Sequence, residues 1–151
     1  MSMTLRVVVP PHPLISHWLT VLRTDSTPNP LYATGLEELG KWLTYEAIRE
    51  WLPHRPTEVK TPHSITKGTV IETNVPLLAI PILPAGLQIW QGARVVLPNS
   101  QLCLGGVPHC IEKNAGVIVF ADQIASGDRM LRTLKRLEEE NVQSKRIRVI
   151  T

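Results

Sequence analysis

Apolar residues in the first third of the chain recur at helical spacing. Leu14, Ile15, Trp18, Leu19 and Leu22 form one stripe after His12 and Pro13. Leu36, Leu39, Leu43, Ala47 and Trp51 form a second within a run from about Leu31 to Trp51, which Pro53 and Pro56 end. A strand-like piece, Leu5 to Val9, precedes these helices and turns at Pro10-Pro11. Beyond them, Glu58 to Ile65 and Thr69 to Glu72 read as short edge strands, and Leu77 to Leu83 reads as the first buried core strand. A helix is expected after Ala85-Gly86-Leu87, followed by a strand at Gln101 to Leu104 and another at Val117 to Phe120. A helix from Asp128 to Asn141 and a last strand beginning near Ile147 complete the order. Strands alternating with helices imply an α/β fold with a parallel sheet and right-handed crossovers. Residues 1–151 are read as one domain, with N-terminal helices and edge strands over 1–75 and the core sheet over 76–151.

The segment Val117 to Leu131 carries the most chemistry. Val117 to Phe120 are apolar without alternation, as in a parallel strand covered on both faces, and Met130, Leu131, Leu134 and Leu137 then recur at helical spacing. The intervening turn lies at the strand's carboxyl end, where α/β sheets bind ligands and where free N–H groups of a helix start attract anions. Many strand-turn-helix units bind nothing, so a phosphate loop and a purely structural turn both stand at this point.

Motifs spread along the chain add to that reading. His12-Pro13-Leu14, His17, Leu19-Thr20 and Leu22-Arg23 are followed by Leu36-Glu37-Glu38-Leu39-Gly40 with Leu43, Tyr45-Glu46-Ala47 and Arg49. Pro81-Ile82-Leu83, Ala85-Gly86-Leu87 and Ala125-Ser126-Gly127 then occur in order. In this the chain resembles the uracil phosphoribosyltransferase family. The resemblance implies a type I phosphoribosyltransferase-like fold. It also implies transfer of phosphoribose from phosphoribosyl pyrophosphate, with Mg2+, to uracil, giving UMP and pyrophosphate in pyrimidine salvage. On that reading Asp122 contacts the ribose hydroxyls as the candidate catalytic residue, while Ala125, Ser126, Gly127, Asp128 and Arg129 form the phosphate-binding loop.

The departures from the family pattern fall on substrate-handling positions. Pro84 stands where the family has the Arg associated with binding the pyrophosphate donor. Without gaps, Ala121 lies opposite the loop's Asp and Asp122 opposite its Pro, whereas a one-residue gap puts Asp122 on the Asp. Asp128 and Arg129 face the family's second Gly and the following Ser. A carboxylate at Asp128 would bring negative charge to the substrate's phosphate. The alternative, a helix cap, is the expectation for Asp128. Only Gly105 to Gly116 fills the place of the family's long excursion between its central strands. The C-terminal third whose backbone reads the uracil edge in the family has no counterpart in this sequence, which stops inside the strand-like alternation Ile147, Val149, Thr151, so a chain without that third and a truncated longer chain both stand at this point. These departures lead to the expectation of a family member that is non-catalytic as it stands. The alternative is a scaffold, assembly or regulatory subunit that keeps the fold without turnover.

Composition narrows the remaining classes. Four Trp accompany one Phe. Trp18 fits the apolar stripe and reads as core packing, with an aromatic anchor for a partner as the other reading. Because family members pair through their N-terminal helices, Trp18 and Trp42 are the interface candidates for a homodimer or another protein. The net charge of +3 is modest. Lys135, Arg136, Lys145, Arg146 and Arg148 are interleaved with Glu138 to Glu140, so a solvated helix face, not nucleic-acid binding, is expected. Cys103 and Cys110 lack metal-ligand spacing and read as free thiols, Cys103 buried and Cys110 in the short loop. No metal site is expected. His12 and His17 read as helix-start and packing residues, while His54 and His63 sit in Pro-rich connections. No apolar run of about eighteen residues and no secretory leader is visible, so a cytoplasmic or organellar matrix or stroma location is expected. A phosphate-bearing metabolite is the small-molecule partner to consider.

Overall fold

A computed structural model describes residues 6–97 and 99–151. The chain opens with α1 (Pro13–Arg23) and α2 (Asn29–Ile48), followed by β1 (His54–Lys60) and β2 (Ile65–Ile71). The core follows as β3 (Leu77–Pro81), α3 (Ala85–Ala93), β4 (Ser100–Leu102), β5 (Gly116–Phe120), α4 (Asp128–Glu139) and β6 (Ile147–Ile150). The four core strands form one parallel sheet in the order β4-β3-β5-β6.

Alternation along the two central strands explains why their sequences show no polar positions. Ala79, Ile118 and Phe120 face one layer, where they join Leu36 and Ile48 of α2 and Ile89 and Ala93 of α3. Leu78, Ile80, Val117 and Val119 face the other, against Met130, Leu134 and Leu137 of α4 and Val107 and Ile111 of the β4–β5 loop. Both faces of the sheet are therefore covered, and all five residues of β3 and of β5 are buried. The layers are helices α2 and α3, the sheet, and α4 with the loop.

Close approach of backbones sets the first layer. A Cβ on Gly40 would collide with the carbonyl of Ile89, and a Cβ on Gly92 with the carbonyl of Glu37. Glycine at both places lets α2 and α3 cross with backbones in contact. Helix α1 starts where His12 Nδ1 accepts a hydrogen bond from the Leu14 amide at 3.2 Å, the capping use of a side-chain acceptor.

Three expectations require correction. Arg6 to Val9 forms no strand, and Val7, Val8 and Val9 are exposed, because among the described residues the run lies against no sheet edge; Leu5 lies outside the described residues. The strands expected at Glu58 to Ile65 and Thr69 to Glu72 have other bounds, His54–Lys60 and Ile65–Ile71. They form a separate antiparallel hairpin, in register His54↔Ile71 to Lys60↔Ile65. The first expected strand ran through the turn, which Thr61 closes by donating its amide and its hydroxyl to the Ser64 carbonyl, each at 2.8 Å. Finally, α4, expected to run to Asn141, stops at Glu139, two residues before Asn141 takes a left-handed backbone at φ 62°.

Candidate functional site

Chain order and sheet order together locate the site. From β3 the chain goes to β4 on one side, then returns across β3 to β5 and β6 on the other. The order reverses between β3 and β5, whose carboxyl ends pair as Pro81↔Phe120. Such a reversal opens a crevice at the carboxyl edge of a parallel sheet. Two loops line it: the turn after β3, residues 82–84, and the loop after β5, residues 121–127.

The turn is held close to β5 by the backbone. The Ile82 amide donates to the Phe120 carbonyl at 2.8 Å and the Gly86 amide to the Ile82 carbonyl at 3.0 Å. A side chain at Gly86 would strike the Phe120 carbonyl. Pro84, joined to Leu83 by a cis peptide, takes the cap position of α3 and offers no charge.

The loop after β5 leaves the core at buried Ala121, whose amide donates to Ile150 at 2.9 Å. Asp122 follows, half-buried, and Ala125 and Ser126 are exposed. Gly127 adopts φ 83°, a left-handed conformation that side chains resist, and takes the cap position of α4 without a side-chain cap. Asp128 is thus the first helical residue and not the cap that the sequence suggested. The hydroxyl of Ser126 does the capping work instead. It accepts from the Asp128 amide at 3.3 Å and donates to the Asp128 carboxylate at 3.0 Å. The carboxylate therefore sits at the positive end of α4, a favourable place for a negative charge.

Arg129, expected among the phosphate contacts, turns the other way. Both terminal nitrogens of its guanidinium donate to the Leu83 carbonyl, at 2.8 and 2.9 Å. Ser126 and Asp128 are thus brought together, Arg129 is drawn onto the opposite turn, and Asp122 shares no hydrogen bond with the Ser126–Asp128 pair. Beside the loop, Asp128, Leu131, Arg132 and Lys135 border an open depression of about 330 Å³. Among the described residues no group of three or more His, Cys, Asp or Glu side chains is placed to hold a metal ion.

The two interface candidates lie on the α1–α2 pair. Trp18 is half-buried, 3.5 Å from where a Cβ on Gly35 would stand, with His17 edge-on at 5.1 Å. Trp42 donates from Nε1 to Glu38 at 3.0 Å, lies parallel to His12 at 6.3 Å and carries the Lys41 ammonium 4.7 Å above its ring. Cys103 is buried just past β4, where desolvation raises its thiol pKa, and Cys110 is exposed in the β4–β5 loop. His109 beside it shares a 2.7 Å hydrogen bond with Arg136, which also pairs with Glu139 and Glu140. The Arg129–Leu83 and Arg136–His109 contacts join residues far apart in the chain, and no spacing in the sequence announces either.

Comparison with known proteins bears on this geometry. The model of the family described as uracil phosphoribosyltransferase matches residues 9–107. The chain belongs to the uracil phosphoribosyltransferase family. A protein named uracil phosphoribosyltransferase from Nostoc sp. is 38% identical over all of this chain and 77% of its own length. A chloroplastic uracil phosphoribosyltransferase of Arabidopsis thaliana is 34% identical over 95% of this chain and 54% of its own. In structure the chain is similar to the AQ2163 protein from Aquifex aeolicus, with a TM-score of 0.69 over 94% of this chain and 84% of that one. At 23% identity that likeness concerns the fold alone. The family match ends before β5, so the loop with Ser126, Asp128 and Arg129 lies outside it. Among the described residues no helix is long and apolar enough to cross a membrane.

Proposed function

We propose that this chain is a uracil phosphoribosyltransferase family member that has kept the fold and given up turnover. The observation carrying the proposal is the Asp128 carboxylate hydrogen-bonded to Ser126 at the start of α4, where the family resemblance calls for the donor's 5′-phosphate. A phosphate arriving there meets a fixed negative charge. Two unit charges about 4 Å apart repel by about 1 kcal/mol in water and about 4 kcal/mol near a protein surface. The facing turn has Pro84 where the family has an Arg, and the guanidinium that reaches it, that of Arg129, is engaged by the Leu83 carbonyl. A complex of Mg2+ with phosphoribosyl pyrophosphate, the donor the family relationship implies, therefore fits poorly on the residues present. Asp122 remains the candidate for the ribose hydroxyls, but it has no charge-balancing partner in the loop.

The role that follows is binding or assembly, through a second copy or another protein on the α1–α2 side. The three exposed valines at Val7 to Val9, ahead of α1, favour it, since an exposed apolar run is suited to packing against another chain. The proposed compartment is the cytoplasm or an organellar matrix. The direct test is formation of UMP from uracil, phosphoribosyl pyrophosphate and Mg2+ by the full-length protein. None above background is expected, and sustained UMP formation overturns the proposal.

A further inference from the structure

The guanidinium of Arg129 spans the crevice. It starts in the first turn of α4 and ends on the Leu83 carbonyl, on a residue 46 positions earlier in the chain, with both terminal nitrogens donating. The turn that receives it is closed on either side of that carbonyl by two amides. Gly86 donates to Ile82 at 3.0 Å and Leu87 to Pro84 at 3.2 Å. Behind the turn, Ile82 is bonded to the end of β5. The two loops of the switch point are therefore joined at the back by backbone and at the front by a side chain.

We propose that Arg129 is a clasp, holding the turn after β3 against the start of α4 in the ligand-free protein. A charged donor on a neutral carbonyl makes a stronger bond than two neutral groups, and the forked guanidinium fixes direction as well as distance. The consequence is a self-occupied crevice. Arg129 is engaged by the protein's own backbone and Asp128 by Ser126. Any phosphorylated ligand must first compete with the clasp, and the order of the turn changes when it does. This device depends on the Arg129–Leu83 geometry and holds whether or not the crevice turns over substrate.

Amide hydrogen exchange on the full protein tests it without a ligand. Arg129→Met is expected to speed exchange at Gly86 and Leu87 roughly threefold to tenfold, the range for loss of one partly solvated charge-assisted bond. The Cys103 and Gly116 amides, bonded to Ala79 and Pro76 elsewhere in the sheet, are expected to keep their rates. Arg129→Lys retains the charge but not the fork, and is expected to fall between wild type and Met. Unchanged rates at Gly86 and Leu87 in Arg129→Met overturn the clasp. So does an equal acceleration at Cys103 and Gly116, which would mark general destabilisation. Wild-type rates in Arg129→Lys overturn the part assigned to the fork.

Discussion

Asp128 and Ser126 satisfy each other at the start of α4, and this small exchange of hydrogen bonds decides the character of the crevice. The sequence exposed the carboxylate as a departure from the family pattern but misjudged its use. A capping Asp and a first-turn Asp differ by one residue, and the left-handed Gly127 settled which it is. Pro84 was equally plain in the sequence, whereas the destination of Arg129 was not, because a contact across 46 residues leaves no periodic trace. Cysteine chemistry belongs to the same scale. Exposed Cys110 should react with iodoacetamide in the native protein, and Cys103 only after unfolding, which peptide mapping of alkylated protein reads directly. Burial raises the Cys103 pKa. The folded state then holds this proton more tightly than the unfolded state. Its contribution to stability is full below the ordinary thiol range and declines as the pH rises through and beyond that range. Replacing Cys103 by Ala should flatten that alkaline decline in melting temperature.

Among the elements, α2 and α3 are the most demanding pair, since they cross with backbones touching at Gly40 and Gly92. Gly40→Ala and Gly92→Ala should each destabilise by about 1–3 kcal/mol or more through overpacking, seen as a lower denaturation midpoint in urea with an unchanged slope. Phe120→Ala, emptying the centre of the sheet, should cost about 3–5 kcal/mol in the same measurement. The core strands and four helices were legible because their periods are strong: unbroken apolar runs at β3 and β5, and stripes along α1, α2 and α4. The hairpin was less so. Its strands are exposed on both faces, so no apolar alternation marks where they end, and the turn at Thr61 to Ser64 was read as strand. The valines before α1 failed for the converse reason, a good strand sequence with no sheet edge against it among the described residues.

At the scale of the whole molecule, a parallel sheet between two helical layers brings the β3 and β5 ends together at the switch point, where Pro84, Asp122 and the start of α4 with Asp128 and Arg129 meet. Order of elements put the turn after Phe120 at a strand's carboxyl end from sequence alone; the strand order that opens the crevice, and the side chains that fill it, came only with the folded chain. The central claim is that the crevice repels its family's donor through Asp128. Isothermal calorimetry with Mg2+ and phosphoribosyl pyrophosphate, on wild type and on Asp128→Gly, measures this most directly. The account predicts no binding heat from wild type and measurable binding by the variant, a gain of roughly fivefold or more in affinity from removing a repulsion of about 1–4 kcal/mol. Ordinary donor binding by wild type, unchanged in Asp128→Gly, would contradict it.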